Sequence, residues 1–173
     1  LNHAFETIAN ANAPGETIAK ALKILSALSG ANGMIGGQVI DIRGAKSHEE
    51  LLILHKKKTG ALIVAAAKLG ALASGRPNDE DFLAAEGFAE NLGLAFQIKD
   101  DILDIEGDVA TLGKNINRDS ETGKVTFVTL FGIDGAKAAL DEYTGKAKAA
   151  LYRFGDRGNF LSQLAESLAL RNR

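Results

Sequence analysis

The sequence predicts an all-α fold, and three observations support that expectation. Apolar residues recur every three or four positions, as in Leu22, Leu25 and Leu28, which is the spacing of one face of a helix. No segment alternates apolar and polar residues over the length of a strand. The two prolines, Pro14 and Pro77, fall where the helical patterns stop, as expected of residues that interrupt helices.

Composition limits the classes of protein that this chain can represent. With 173 residues, of which 46% are apolar, the chain can form one globular domain with a core. A net charge of −2 argues against a general nucleic-acid binder, and the absence of cysteine excludes disulfides and thiolate metal sites. The longest apolar run, near 61–67, is too short to cross a membrane, and no signal peptide is visible. We therefore expect a cytoplasmic protein that binds no nucleic acid and has no membrane span.

The helices can be predicted in order from these patterns. Residues 1–9 look like the inside of a helix with no capping residue before it, so the chain is expected to be part of something longer. Asn78, followed by Asp79 and Glu80, is a helix-start signal. The predicted helices cover 2–11, 16–41, 48–74, 79–106, 124–132, 134–154 and 158–171.

Many of the 19 glycines lie inside these helical patterns, where each costs about 1 kcal/mol relative to alanine. Close packing between helices is the simpler explanation for any one of them, and room for a ligand is the alternative. The polar segment 107–123 breaks the helical pattern. Because long loops are uncommon in compact domains, this segment is predicted to be functional or mobile.

Three carboxylates, Asp100, Asp101 and Asp104, are predicted to share one helix face with Gln97. Like charges at i and i+4 repel, so another group should offset the repulsion between these carboxylates. A solvated acidic face is one explanation. The other is a magnesium site, because Mg²⁺ prefers oxygen ligands and binds one or two carboxylates together with phosphate oxygens. An EF-hand is excluded by the spacing and by the lack of a central glycine.

The run 55–60 (HKKKTG) is basic but lies within an apolar helical pattern. A solvated basic patch would explain it, yet Lys58 is placed so that it could point into a cavity, and Thr59 adds a hydroxyl beside Gly60. Gln38 and Asp41 lie one turn apart after two glycines. Alone, these two residues are as consistent with a kinked helix that has a polar edge as with a binding site.

Together these motifs resemble the polyprenyl diphosphate synthase (trans-prenyltransferase) family, and most closely its bacterial farnesyl and geranylgeranyl diphosphate synthases. Their order and spacing agree with the family across most of the chain. The matching segments are GGQVID at 36–41, KTGALI at 58–63, LGALASG at 69–75, GLAFQIKDDILDIEGD at 93–108, LGK at 112–114 and GKVTFVTLFG at 123–132.

The resemblance implies an antiparallel helix bundle around a central cavity, of which 1–173 would form the C-terminal portion of a single domain. It also implies a reaction in which an allylic diphosphate ionises, the double bond of isopentenyl diphosphate attacks the carbocation, and a proton is lost. Farnesyl diphosphate is the expected product, with geranylgeranyl or geranyl diphosphate as alternatives. A homodimer is expected on the same basis.

The resemblance further implies roles for individual residues. Asp100 and Asp104 match carboxylates that hold Mg²⁺ directly or through water, with Asp101 beside them. Lys58 and Lys114 match lysines that contact the allylic diphosphate, and Lys124 matches another lysine near it. The remaining matches are Thr59 and Gln97, beside the developing cation, and Gln38 and Asp41, at the wall of the substrate pocket.

The chain departs from the family pattern in three respects. No first aspartate-rich motif lies upstream of Gly93, the GGKR-type segment and the arginine for isopentenyl diphosphate are absent, and the link from Asp41 to Lys58 is short. We therefore expect these 173 residues alone to turn over poorly or not at all. A non-catalytic partner subunit and a terpene cyclase of the same fold are the alternatives. The retained lysines and aspartates argue against the first, and the KTG and LGK segments against the second.

Overall fold

Helices form almost all of the chain described by the computed structural model, which covers residues 1–75, 78–112 and 125–172, with no side chains described for 107–112. No strand occurs within these ranges, and the predicted all-α fold is confirmed. The helices are α1 (Asn2–Ala9), α2 (Gly15–Ser29), α3 (Met34–Arg43), α4 (His48–His55), a π-helical turn (Lys56–Gly60), α5 (Ala61–Ala73), α6 (Asp79–Leu112), α7 (Phe127–Ala150), a 3₁₀ segment (Tyr152–Gly158) and α8 (Asn159–Leu170).

Two of the predicted helices are interrupted. The predicted helix 16–41 is divided into α2 and α3 because Gly30 is extended, with ψ −162°. A Cβ on Gly33 would lie 1.9 Å from the carbonyl oxygen of Leu28, so the connection requires glycine there. The predicted helix 48–74 contains the π-helical turn.

A break between 132 and 134 was also predicted, and α7 does bend at Gly132, whose φ is +71°. Such a positive φ favours glycine, which has no Cβ to clash with the following carbonyl group. The predicted helix 134–154 ends earlier than expected, at Ala150, because Tyr152–Gly158 forms a 3₁₀ segment, and α8 begins at Asn159, within one residue of the predicted start.

Helix α6 is the longest described helix, and its main contacts are with α7 and α5. Asn78 caps its start as predicted, with its side-chain oxygen accepting the Asp81 N–H at 2.8 Å. Arg153 reinforces the same end through contacts with Glu80 (2.6 Å) and Asp81 (2.9 Å). Helix α6 therefore serves as the central element against which the others are placed.

Two apolar clusters pack along α6. One lies below the aspartate-rich end, where Ile98 and Ile102 meet Leu51 of α4 and Phe127 of α7. The other lies nearer the start of α6, where Phe88 and Leu92 belong to a cluster completed by residues of α5, α7 and α8. None of the described helices is long and apolar enough to cross a membrane.

Candidate functional site

The π-helical turn carries Lys58 and Thr59 and packs against α3 and α6. A Cβ on Gly37 would lie 2.2 Å from the Lys58 backbone nitrogen, and a Cβ on Gly93 would lie 3.0 Å from the Gly60 Cα. The backbones of α3 and α6 thus approach the turn closely, and at Gly37 the approach leaves no room for a side chain. π-Helical turns are rare and frequently occur at functional sites. Close packing, the simpler explanation for the glycines, is confirmed at Gly37 and Gly93.

Lys58 and Asp41 form an ion pair between the π-helical turn and α3. The Lys58 Nζ lies 2.5 Å from Asp41 Oδ2, and about a third of each side chain is exposed. Gln38 lies on α3 one turn before Asp41 and is exposed. An ammonium group has three N–H donors, so Lys58 can hold Asp41 and still donate to an incoming anion.

Asp100 lies on α6 with both carboxylate oxygens engaged. Its Oδ2 accepts a hydrogen bond from Gln97 Nε2 at 3.0 Å, and its Oδ1 contacts Nη2 of Arg171. The Arg171 guanidinium also lies over the Phe96 ring, 4.0 Å from its centroid. Asp100 is 39% exposed, and Asp104, one turn later, is exposed. These two carboxylates therefore lie on the open face of α6.

Asp101 departs from the prediction that all three carboxylates share this face. It is buried, and its Oδ2 accepts the backbone N–H of Phe127 at 2.9 Å. That N–H belongs to the first turn of α7, where a negative charge also interacts favourably with the helix dipole. His55 Nε2 lies 4.0 Å from the same oxygen. Asp101 thus joins α4, α6 and α7 in the core, and this placement does not favour it as a metal ligand.

The start of α7 is shaped to present that N–H. Thr126 and Thr129 form a reciprocal capping box, in which the Thr126 hydroxyl oxygen accepts the Thr129 N–H at 3.1 Å. The Thr129 hydroxyl oxygen in turn accepts the Thr126 N–H at 2.8 Å. The capping box satisfies the N–H groups of Thr126 and Thr129. The Phe127 N–H lies outside the capping box and is donated to Asp101.

The described residues fit one kind of magnesium site, in which water and phosphate oxygens complete the ligands of the metal. No group of three or more acidic or histidine side chains converges among them as a complete metal cage. Asp100 and Asp104 supply carboxylate oxygens on successive turns, and Mg²⁺ commonly takes one or two carboxylates with water and phosphate oxygens as its other ligands. The donor set therefore fits a shared metal–diphosphate site.

Not every predicted residue lies within the part of the chain that the structure describes. Thr59 is partly buried beside Lys58, whereas Lys114 and Lys124 lie outside the described residues. A separate open apolar groove of about 630 Å³ between α5, α6 and α8 is lined by none of the predicted site residues. The predicted central cavity therefore stays a prediction.

Sequence reasoning missed two contacts of this site. Arg171 follows α8, and neither spacing nor composition relates it to Asp100, which lies 71 positions earlier. The sequence also did not predict that His55 lies near Asp101. The position of His55 at the end of the apolar run 51–54 did indicate that its side chain is buried.

The polyprenyl synthetase family model matches residues 1–153. This chain belongs to the polyprenyl synthetase family. Farnesyl diphosphate synthase of Escherichia coli strain K12 is 35% identical over 179 residues, which cover 98% of this chain and 60% of that protein. Geranylgeranyl diphosphate synthase of Cyanophora paradoxa is 34% identical over 178 residues, covering 99% of this chain and 59% of that protein.

Solved structures of the family agree with this assignment. An apo FPP/GFPP synthase from Zymomonas mobilis superposes with a TM-score of 0.83 at 30% identity, covering 96% of this chain and 57% of that one. A Helicobacter pylori geranyltransferase complexed with magnesium and isoprenyl diphosphate gives a TM-score of 0.77 at 32% identity, covering 96% and 55%. The chain thus spans between 55% and 60% of the length of these family members.

Proposed function

We propose that this polyprenyl synthetase chain supplies the magnesium- and diphosphate-binding part of a short-chain trans-prenyltransferase site. The substrates would be an allylic diphosphate and isopentenyl diphosphate. The observation that supports the proposal is that acidic and basic groups lie on two elements packed against each other. Asp100 and Asp104 lie on α6, and Lys58 lies on the π-helical turn that meets α6 at Gly93.

In the proposed reaction, the C–O bond of the allylic diphosphate breaks and its electron pair leaves with the diphosphate. The π electrons of isopentenyl diphosphate then form the new C–C bond, and a proton is lost. Charge builds up on the departing diphosphate, so neutralising that charge is the main catalytic task. Magnesium, held by Asp100 and Asp104, would supply Lewis-acid stabilisation there.

The other residues of the proposed site have separate roles. Lys58 donates N–H groups to the diphosphate while Asp41 fixes the position of its ammonium group. Gln97 donates its amide N–H to Asp100, so its carbonyl oxygen is the group that can stabilise positive charge on the substrate. The Thr59 hydroxyl, next to Lys58 on the π-helical turn, would supply a second oxygen for the same role. Gln38 lies with Asp41 at the proposed pocket wall.

We further propose farnesyl diphosphate as the product, on the basis of the similarity to the Escherichia coli enzyme of that name. Geranylgeranyl diphosphate is the alternative suggested by the Cyanophora relative. The family resemblance also supports a cytoplasmic homodimer. Lys114 and Lys124 remain proposed diphosphate ligands through their positions in the LGK and GKVTF segments.

A fusion protein tests the proposed function. The segment of the Escherichia coli relative that this chain does not match would be placed before Leu1, and incorporation of labelled isopentenyl diphosphate into prenyl products would be measured. We expect magnesium-dependent product from the fusion and little or none from the 173 residues alone.

In that fusion, Asp100→Ala should lower turnover by about 10²–10³, since removal of one group that stabilises developing charge commonly has such an effect. Glu142→Gln, which affects an exposed ion pair with Lys146 on α7, is the control and should leave turnover unchanged. A folded fusion without product, or full turnover by the Asp100 variant at saturating Mg²⁺, would refute the proposal.

A further inference from the structure

Asp100, the proposed metal ligand, has no carboxylate oxygen without a donor. Gln97 donates to Oδ2, and Arg171 contacts Oδ1. A divalent cation that binds this carboxylate directly must therefore replace or share one of these contacts. The two donors differ in charge, because the amide of Gln97 is neutral, whereas the guanidinium of Arg171 is a cation.

Charge makes Arg171 the donor that a metal displaces. A guanidinium and a divalent cation on one carboxylate repel each other, and that repulsion is poorly screened where the groups are partly buried. Arg171 is 22% exposed and Asp100 is 39% exposed. The amide of Gln97 brings no such repulsion, and Gln97 is fixed one turn away on the same helix.

Arg171 lies just beyond the end of α8, where the backbone is no longer helical. It follows the last residue of α8 and has an extended backbone, with φ −58° and ψ 147°. Its Nη2 makes the contacts with both Asp100 and the Phe96 carbonyl oxygen, the latter at 3.3 Å. Its Nε is buried without a hydrogen-bond partner among the described residues. The guanidinium is therefore incompletely satisfied in this position.

From these contacts we infer that Arg171 is a displaceable counter-ion of Asp100, which holds the carboxylate while no divalent cation is bound and leaves it when one binds. The inference rests on the proposed function, because it takes Asp100 as a magnesium ligand. Metal binding would thereby be coupled to the end of α8. The coupling is reciprocal. If metal binding weakens the Arg171–Asp100 contact by some factor, then holding Arg171 on Asp100 weakens metal binding by that same factor.

The expected size of the effect follows from the fraction of molecules in which Asp100 is accessible. If about one molecule in ten has Arg171 away from Asp100, the apparent metal affinity is lowered about tenfold. Arg171→Gln removes the competing charge and should tighten metal binding by about that factor. If Arg171 instead positioned Asp100 for the metal, the same substitution would weaken binding.

Binding of Mn²⁺ alone to the 173-residue protein, followed through the loss of the electron paramagnetic resonance signal of free Mn²⁺, tests this inference. We expect about tenfold tighter binding by Arg171→Gln than by the unmodified protein, and an intermediate affinity for Arg171→Lys, which keeps the charge without the planar fork. Arg153→Gln is the matched control, because Arg153 pairs with Glu80 and Asp81 at the opposite end of α6 and should have no effect.

A second readout follows the protein itself. Addition of Mg²⁺ should accelerate hydrogen exchange of backbone amides near 168–172 in the unmodified protein and in Arg153→Gln, but not in Arg171→Gln. Equal or weaker Mn²⁺ binding by folded Arg171→Gln would overturn the inference and leave the proposed function intact. Absence of Mn²⁺ binding by all proteins, or binding unaffected by Asp100→Asn, would instead overturn the metal assignment and the inference with it.

Discussion

Asp100 and Asp101 are neighbours in sequence with opposite surroundings. Asp100 lies on the open face of α6 beside Gln97, whereas Asp101 is buried and accepts the Phe127 N–H. Successive helical residues are separated by about 100° around the axis, so one residue can lie at the edge of the core while its neighbour faces outward. The two aspartates should therefore differ in what they do.

Substitution of each aspartate by asparagine tests this difference in thermal stability. Asp101→Asn keeps one acceptor oxygen but removes the negative charge that strengthens the bond to the Phe127 N–H, and it brings a buried amide donor, so it should cost about 2 kcal/mol, or ~4–8 °C in melting temperature. Asp100→Asn should change stability by no more than about 0.5 kcal/mol, because its site is partly exposed. Circular dichroism melting curves measure both. Equal destabilisation by the two variants would contradict the assigned roles.

At the scale of the elements, the π-helical turn is the feature that organises the site. It is confined by Gly37 on one side and by Gly93 on the other, and it carries Lys58 toward Asp41. The sequence predicted an uninterrupted helix there, because a single inserted residue leaves the apolar periodicity on both sides almost unchanged. The glycines were recognised as unusual, but their partners could not be known without the structure.

Alanine substitutions of glycine test whether close backbone contact holds this turn. Gly37→Ala should destabilise the protein by about 1–3 kcal/mol, because its Cβ would lie 2.2 Å from the Lys58 nitrogen and force α3 away. Gly70→Ala is the matched control, since no heavy atom lies within 4 Å of its added Cβ. It should stabilise α5 by up to about 1 kcal/mol. Chemical denaturation measures both, and an equal response of the two variants would refute the explanation.

At the scale of the whole molecule, the sequence was sufficient for the all-α class, the family and the capped start of α6 at Asn78. These features depend on local patterns and on motif order. The contacts from Arg171 to Asp100 and from His55 toward Asp101 depend instead on how distant helices pack, which local periodicity does not encode. For the same reason, the burial of Asp101 was not foreseen.

The acidic open face of α6 and the lysine-bearing π-helical turn lie on two packed elements of the same chain. The chain spans about 60% of the Escherichia coli relative. The proposed binding of a metal–diphosphate complex can be measured separately from the proposed turnover. In the proposed site, Asp100 and Asp104 hold the metal, and Lys58 contacts the diphosphate together with Lys114 and Lys124. Binding of a diphosphate in the presence of Mg²⁺ is therefore the property of this chain that best tests the proposed site.

The most direct measurement is calorimetric titration of the 173-residue protein with dimethylallyl diphosphate, with and without Mg²⁺. We predict binding that requires Mg²⁺ and that is weakened at least about tenfold by Asp100→Asn or Asp104→Asn, as expected for loss of a charged contact. Glu142→Gln should bind as the unmodified protein does. Equal affinity with and without Mg²⁺, or affinity unchanged in both aspartate variants, would contradict the account.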